Sequence, residues 1–201
     1  MDVFEAIKTR RSVGVVSDKE VPKEMVEKIL EAGIWAPTHF YTEPWRFFVI
    51  TEDGRKPLGD LLAEIAKEGM DEPESESNQI KLEKVKRKPF RAPVIIVAAV
   101  EPSDNPKAIL TEEYASVSAA VQNMLLAAHA LGLGAIWRTG KVCYDARMRD
   151  FFGLSEKGEV LGFIYLGYPE NEPREGKREP FTSKTEWLSD ESDFEKIKSN
   201  N

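Results

Sequence analysis

Apolar residues recur at helical spacing in four segments. Val3, Phe4 and Ile7 share one face behind Asp2, with Glu5 three residues on. That capping-box spacing predicts a short helix from 2 to about 11, ending in "TRRS". Pro22 suits the first turn of a second helix with Met25, Ile29 and Leu30 as its buried stripe and Gly33 near its end. Leu58, Leu61, Leu62 and Ile65 predict a third helix over 54 to about 69. Thr111 is placed to cap a long fourth helix reaching about 131. Its stripe is Tyr114, Val117, Val121, Met124, Leu125 and Ala128, and small residues such as Ala115, Ser118 and Ala119 fill other faces. A helix so apolar around its circumference is expected to be buried all round, part of that burial coming from a second subunit.

The strand signals are shorter and more continuous. "WRFFVI" (45–50) is the first, and "APVIIVAAV" (92–100) reads as a central strand buried on both faces. "LGLGAIWRTG" (131–140) combines a helix stop, a strand and a glycine turn; a short helix follows around 144–151. "EVLGFIYLGYP" (159–169) is the last core strand. The acidic stretch "DEPESESNQ" lacks apolar residues and is expected to be mobile; the basic run after it reads as a short helix or loop balancing that charge. No repeat or linker divides the chain, and there are too few βαβ units for a doubly wound sheet. The expected class is α+β: one domain over 1–188, followed by a flexible tail over 189–201.

Charge and composition narrow the chemistry. A net charge of -7 argues against a general nucleic-acid or membrane-surface binder, and no apolar run approaches the roughly 20 residues that span a bilayer. The single cysteine, Cys143, cannot form an internal disulfide, and no secretory signal opens the chain, so a cytoplasmic protein is expected. With only two histidines and no paired cysteines, no metal site is expected; no G-x-S-x-G elbow suggests a hydrolase. No side chain stands out as a catalytic acid, base or nucleophile. An enzyme of this composition would rely on an organic cofactor.

Three polar clusters fall at element ends. Arg10 and Arg11 close the first helix, where its dipole alone favours a cation by about 0.3–1 kcal/mol. Arginine also grips phosphate in a bidentate fork, and Ser12 adds a hydroxyl. Trp137, Arg138 and Thr139 end a core strand just before Gly140, either as a wall for a planar heterocycle or as an ordinary turn with an extended arginine. His39 lies in a loop between Pro37 and Pro44, with Trp35, Phe40, Tyr41 and Trp45 offering flat surfaces for packing or for stacking a ring.

The ordered set "RRSV", "AGIWAPTHFYTEPWRFFVI", "GLGAIWRTG" and "VLGFIYLGYP" resembles the nitroreductase family of flavin enzymes, specifically its small NAD(P)H nitroreductase branch, over most of residues 2–169. The resemblance implies a largely antiparallel mixed sheet flanked by helices, in a homodimer with FMN at the subunit interface. It places Arg10, Arg11 and Ser12 on the FMN phosphate and ribityl chain, and Trp137, Arg138 and Thr139 on FMN from the same chain. Trp35 and His39 would reach the FMN of the other chain, Trp35 standing where relatives carry arginine. NADPH or NADH would be the reductant, near 127–132. Nitroaromatics, quinones or related small molecules would be the acceptors, in ping-pong order. Rival readings on the same scaffold are a dehalogenase, an enoyl-type reductase or an FMN-holding sensor. Many family members also bind the phosphate with a C-terminal cation; Arg174, Lys177 and Arg178 are the candidates.

Overall fold

A computed structural model of the chain describes residues 1–199. Its centre is a four-stranded antiparallel sheet in the order β1-β2-β4-β3, formed by β1 (Trp45–Thr51), β2 (Val94–Val100), β3 (Gly134–Arg138) and β4 (Glu159–Gly167). A single parallel bridge joins Ser12 to Ala135 on the outer edge of β3 and makes the sheet mixed. The four strands expected from the sequence are present, and the chain is α+β.

β2 is buried along its whole length because both sheet faces are covered. Val94, Ile96, Ala98 and Val100 join one core cluster, packed under α2 (Lys23–Ile34) and α5 (Leu110–Ala130). Ile95, Val97 and Ala99 face the other, under α3 (Arg55–Glu68) and α6 (Ala146–Phe151). α2 and α5 approach closely at Gly33, where a β-carbon would stand 2.9 Å from Cγ of Met124. Tyr114 hydrogen-bonds Glu159 and ties α5 to the start of β4.

The helices correct several expectations. α1 (Val3–Thr9) is capped by Asp2, whose carboxylate accepts from the Phe4 and Glu5 amides at 2.8 and 3.0 Å. Its apolar face is turned outward, however. Val3, Phe4 and Ile7 are exposed, Phe4 at 81%, and only Ala6 is buried. α5 starts from Ile109 rather than being capped by Thr111, and it is not buried all round within one chain: Leu110, Ala115, Gln122 and Ala130 are exposed.

Where the acidic stretch 71–79 was expected to be mobile, it is a hydrogen-bonded turn. Asn78 donates to the Asp71 and Glu72 carbonyls and Gln79 to that of Pro73, and α4 (Glu76–Lys86) begins within it. Side-chain amides here replace the missing apolar contacts. Residues 189–201, expected as a flexible tail, include α7 (Glu191–Ser199); Asn200 and Asn201 lie outside the described residues. No described helix is long and apolar enough to cross a membrane.

Candidate cofactor site

α1 ends because Arg10 leaves helical geometry (φ -55°, ψ 134°), and the chain then runs beside β3. The Arg11 guanidinium turns back to cap the helix, donating to the carbonyls of Lys8 and Arg10 at 2.8 and 2.7 Å. Its Nε is buried with no hydrogen-bond partner among the described residues. Val13 donates to the Ala135 carbonyl at 2.9 Å, which holds Ser12 and Gly14 against the strand. A cleft of about 580 Å³ opens here, lined by Arg11, Ser12, Gly14 and Arg174 and also by Glu172 and Glu175.

Arg10 sits close to this cleft in a cationic neighbourhood. Burial, then the charges of Arg11 and Arg178, hold its guanidinium below the ordinary arginine value. The return of the chain after β4 thus brings Arg174 and Arg178 to the residues that end α1. Gly176 lies directly over the Arg11 guanidinium, so closely that a β-carbon there would overlap it.

Trp137 and Arg138 do not form one wall. Consecutive strand residues point to opposite faces. The Trp137 indole packs with the α2 and α5 core and lies over Gly162, while Arg138 crosses to the other face and sits 5.2 Å from the Tyr165 ring centre. Arg138 reaches back to Gly14, its Nη2 lying 3.2 Å from where a β-carbon on that glycine would be. Neither Trp137 Nε1 nor Arg138 Nε has a hydrogen-bond partner among the described residues. Thr139 follows, exposed, before Gly140 (φ 134°).

Trp35 and His39 line neither the Arg11 cleft nor the Arg138 pocket. Trp35, the residue after α2, is 80% exposed and lies in a shallow groove with Ala6 of α1 and Ala127 of α5. His39 starts a 3₁₀ turn (His39–Tyr41) and pairs through Nδ1 with Glu112 Oε2 at 2.7 Å. Phe40, Tyr41 and Glu43 all have positive φ (49°, 53° and 45°). Left-handed backbone at three non-glycine residues costs on the order of 1–3 kcal/mol each, a strain typical of functional loops.

The ends of α5 show how far His39 lies from the end of α1. Glu112, with His39, is in its first turn; His129, 2.8 Å from Thr9, is in its last. At 1.5 Å per residue these positions lie roughly 25 Å apart.

Unpartnered atoms mark the site most sharply. Among the described residues, four buried side-chain nitrogen or oxygen atoms lack a hydrogen-bond partner: Arg11 Nε, Thr42 Oγ1, Trp137 Nε1 and Arg138 Nε. Buried polar groups are almost always paired, so each exception calls for a missing partner. Three are on residues that the sequence assigns to a cofactor, and the fourth is in the His39 loop. A ligand with phosphate, hydroxyl and ring acceptors fits this donor set. Two contributors escaped the sequence reading. Gly14 needed the position of Arg138 to show its value, and Glu112 needed the fold that brings it to His39.

Comparison with known proteins places the chain in a family. The model of the Nitroreductase family matches residues 7–168. The chain belongs to the nitroreductase family. It is 35% identical over 170 residues to the "Putative NAD(P)H nitroreductase YdjA" of Escherichia coli K12, covering 85% of this chain and 90% of that protein. The solved nitroreductase-like family protein of Bacillus cereus superposes with a TM-score of 0.81 at 29% identity, covering 94% of this chain and 97% of that one. A Desulfovibrio desulfuricans nitroreductase-family structure, solved in complex with FMN, is 31% identical with a TM-score of 0.70, covering 94% and 98%. As a nitroreductase-family chain, the protein is an oxidoreductase of the NAD(P)H-dependent flavin type.

Proposed function

We propose that the protein binds FMN between two copies of itself and uses NAD(P)H to reduce nitroaromatics, quinones or related acceptors in ping-pong order. The observation that carries this reading is the coincidence of the buried unpaired donors with Arg11, Trp137 and Arg138. FMN, when bound, supplies the hydride relay between reductant and acceptor.

The chain's own residues bind and orient. Arg10, Arg11 and Ser12 would hold the phosphate and ribityl end, with Arg174 and Arg178 close by. Trp137, Arg138 and Thr139 would hold the ring end, where Arg138 supplies positive charge. His39 would come from the other copy, since it lies at the far end of α5, and Trp35, exposed beside α1 and α5, would come from that copy too, as the family resemblance implies. A two-fold pairing of antiparallel α5 helices brings the His39 end of one copy to the Arg10 end of the next. The outward apolar face of α1, with Ile34, Ile109 and Leu110, gives that pairing a surface to bury. His39 Nε2, unused by Glu112, would face the acceptor. Residues 1–188 then form the FMN-binding domain with 189–201 as an appended tail, in a cytoplasmic homodimer.

The test is spectroscopic. FMN-loaded protein under argon should bleach with NADPH or NADH and recolour on adding a nitroaromatic. A protein that takes up FMN but is not bleached by either nicotinamide would refute the reductase reading.

A further inference from the structure

A second cavity, of about 190 Å³, lies on the sheet face opposite α5, between the 3₁₀ turn Lys88–Arg91, the end of β3 and the middle of β4, with Leu62, Val142 and Phe163 in its lining. Lys88, Arg91 and Arg138 line it, together with the hydroxyl-bearing Thr139 and Tyr165; no carboxylate does. The Arg11 cleft, in contrast, sets Glu172 and Glu175 beside its arginines. Among the described residues, none of the three cations here is in an ion pair. Acidic residues outnumber basic ones 35 to 28 in this chain, so acids were available to neutralise the cavity.

Lys88 and Arg91 are exposed and Arg138 is half-buried, so an anion entering the cavity meets three cations with no carboxylate competing for them. Burial holds the Tyr165 hydroxyl above its ordinary value, against the pull of Arg138 and Arg91, so it stays protonated and able to donate. The cavity is small, below the range of sites that enclose a whole drug-sized ligand, and has room for an oxyanion with some water. FMN carries one phosphate, which the proposed function places with Arg10 and Arg11. The anion for this cavity must therefore come from another molecule.

We propose that Lys88, Arg91 and Arg138 form an oxyanion subsite. It takes the phosphate or carboxylate group of a molecule that meets the flavin: either a phosphate of the nicotinamide dinucleotide or an acidic substituent on the electron acceptor. Only the identity of that molecule rests on the flavin reading; the anion preference rests on the cavity.

The experiment compares FMN-saturated wild-type protein with the Lys88→Ala/Arg91→Ala variant, which leaves Arg138 in place. KM is measured for NADPH, NADH, 4-nitrobenzoate and the uncharged 4-nitrobenzyl alcohol, with inorganic phosphate as a competing probe. Losing charged contacts should raise KM for the anionic partner about tenfold while that for 4-nitrobenzyl alcohol holds. A rise confined to 4-nitrobenzoate assigns the subsite to the acceptor; a rise confined to the nicotinamides assigns it to the reductant. Phosphate should inhibit the wild type and lose that effect in the variant. Unchanged KM values together with equal phosphate inhibition would overturn the subsite. Should the protein bind no FMN, the flavin reading fails by itself. Calorimetric titration of phosphate into the flavin-free chain, with and without the two substitutions, then decides: a lost heat supports the subsite and equal heats overturn it.

Discussion

The imidazole Nδ1 of His39 lies 2.7 Å from the Glu112 carboxylate. An ionised carboxylate only accepts, so Nδ1 carries the proton and Nε2 is the nitrogen left for a ligand. The pair is partly exposed and contributes at most about 1 kcal/mol to stability. It nevertheless tethers a loop with three left-handed residues. Glu112→Ala should leave the melting temperature almost unchanged. Amide exchange over 39–43 should accelerate, and the apparent KM for the acceptor should rise several-fold. Unaltered exchange in this loop would show that the pair holds nothing in place.

Gly14 and Arg138 set a second expectation. A methyl on Gly14 would stand 3.2 Å from Arg138 Nη2, the far end of a flexible side chain. Gly14→Ala should therefore fold normally but shift the guanidinium. FMN affinity, followed by quenching of flavin fluorescence, should weaken by about threefold to tenfold, the scale of one charged hydrogen bond. Gly14→Val should weaken it further.

Gly162 is less forgiving. It has φ of 151°, and a β-carbon would overlap the Trp137 indole and stand 2.6 Å from the Arg138 carbonyl oxygen, which is backbone. Gly162→Ala forces β3 and β4 apart and should destabilise by about 2–3 kcal/mol. In thermal unfolding that is a fall of roughly 4–12 °C. Flavin binding should suffer with it, because both displaced residues end β3.

His129 links the site to pH. Thr9 Oγ1 donates its one proton to the Glu5 carbonyl, so it must accept from His129 Nε2. Burial, then Arg10 and Arg11, lowers the His129 pKa. With a depressed folded pKa, the unfolded chain binds more protons as pH drops through about 6.5, and folding weakens until the folded pKa is passed. Melting temperature should fall on acidification through that window, and His129→Gln should flatten this component of the profile. An acid-side slope identical in the variant would remove His129 as its source.

The sequence reading located elements better than faces. All four strands were legible because each is a dense apolar run, and β2 even showed its double burial through "VIIVAAV". Side-chain direction was harder. Trp137 and Arg138 looked like one wall, but the strand pleat sends them to opposite faces. Val3, Phe4 and Ile7 read as one apolar face, and that face is exposed in the single chain. Periodicity reports that a face is apolar, not which surface covers it. The order in 71–79 comes from Asn78 and Gln79, polar residues that a hydrophobic pattern does not register. Arg174 and Arg178 could be flagged by charge, but their approach to Arg11 and Arg10 depends on the path after β4.

The central claim is that each cofactor site needs two chains, and subunit mixing tests it directly. One chain carries Arg10→Ala/Arg11→Ala and the other Trp35→Ala/His39→Ala. Each homodimer should bind little FMN. Co-expressed at random, half of the dimers are mixed and each has one intact site, so about a quarter of wild-type flavin content and NAD(P)H-driven reductase activity should return. Mixed dimers that form, as shown by affinity tags on both chains, yet recover neither flavin nor activity would contradict the account.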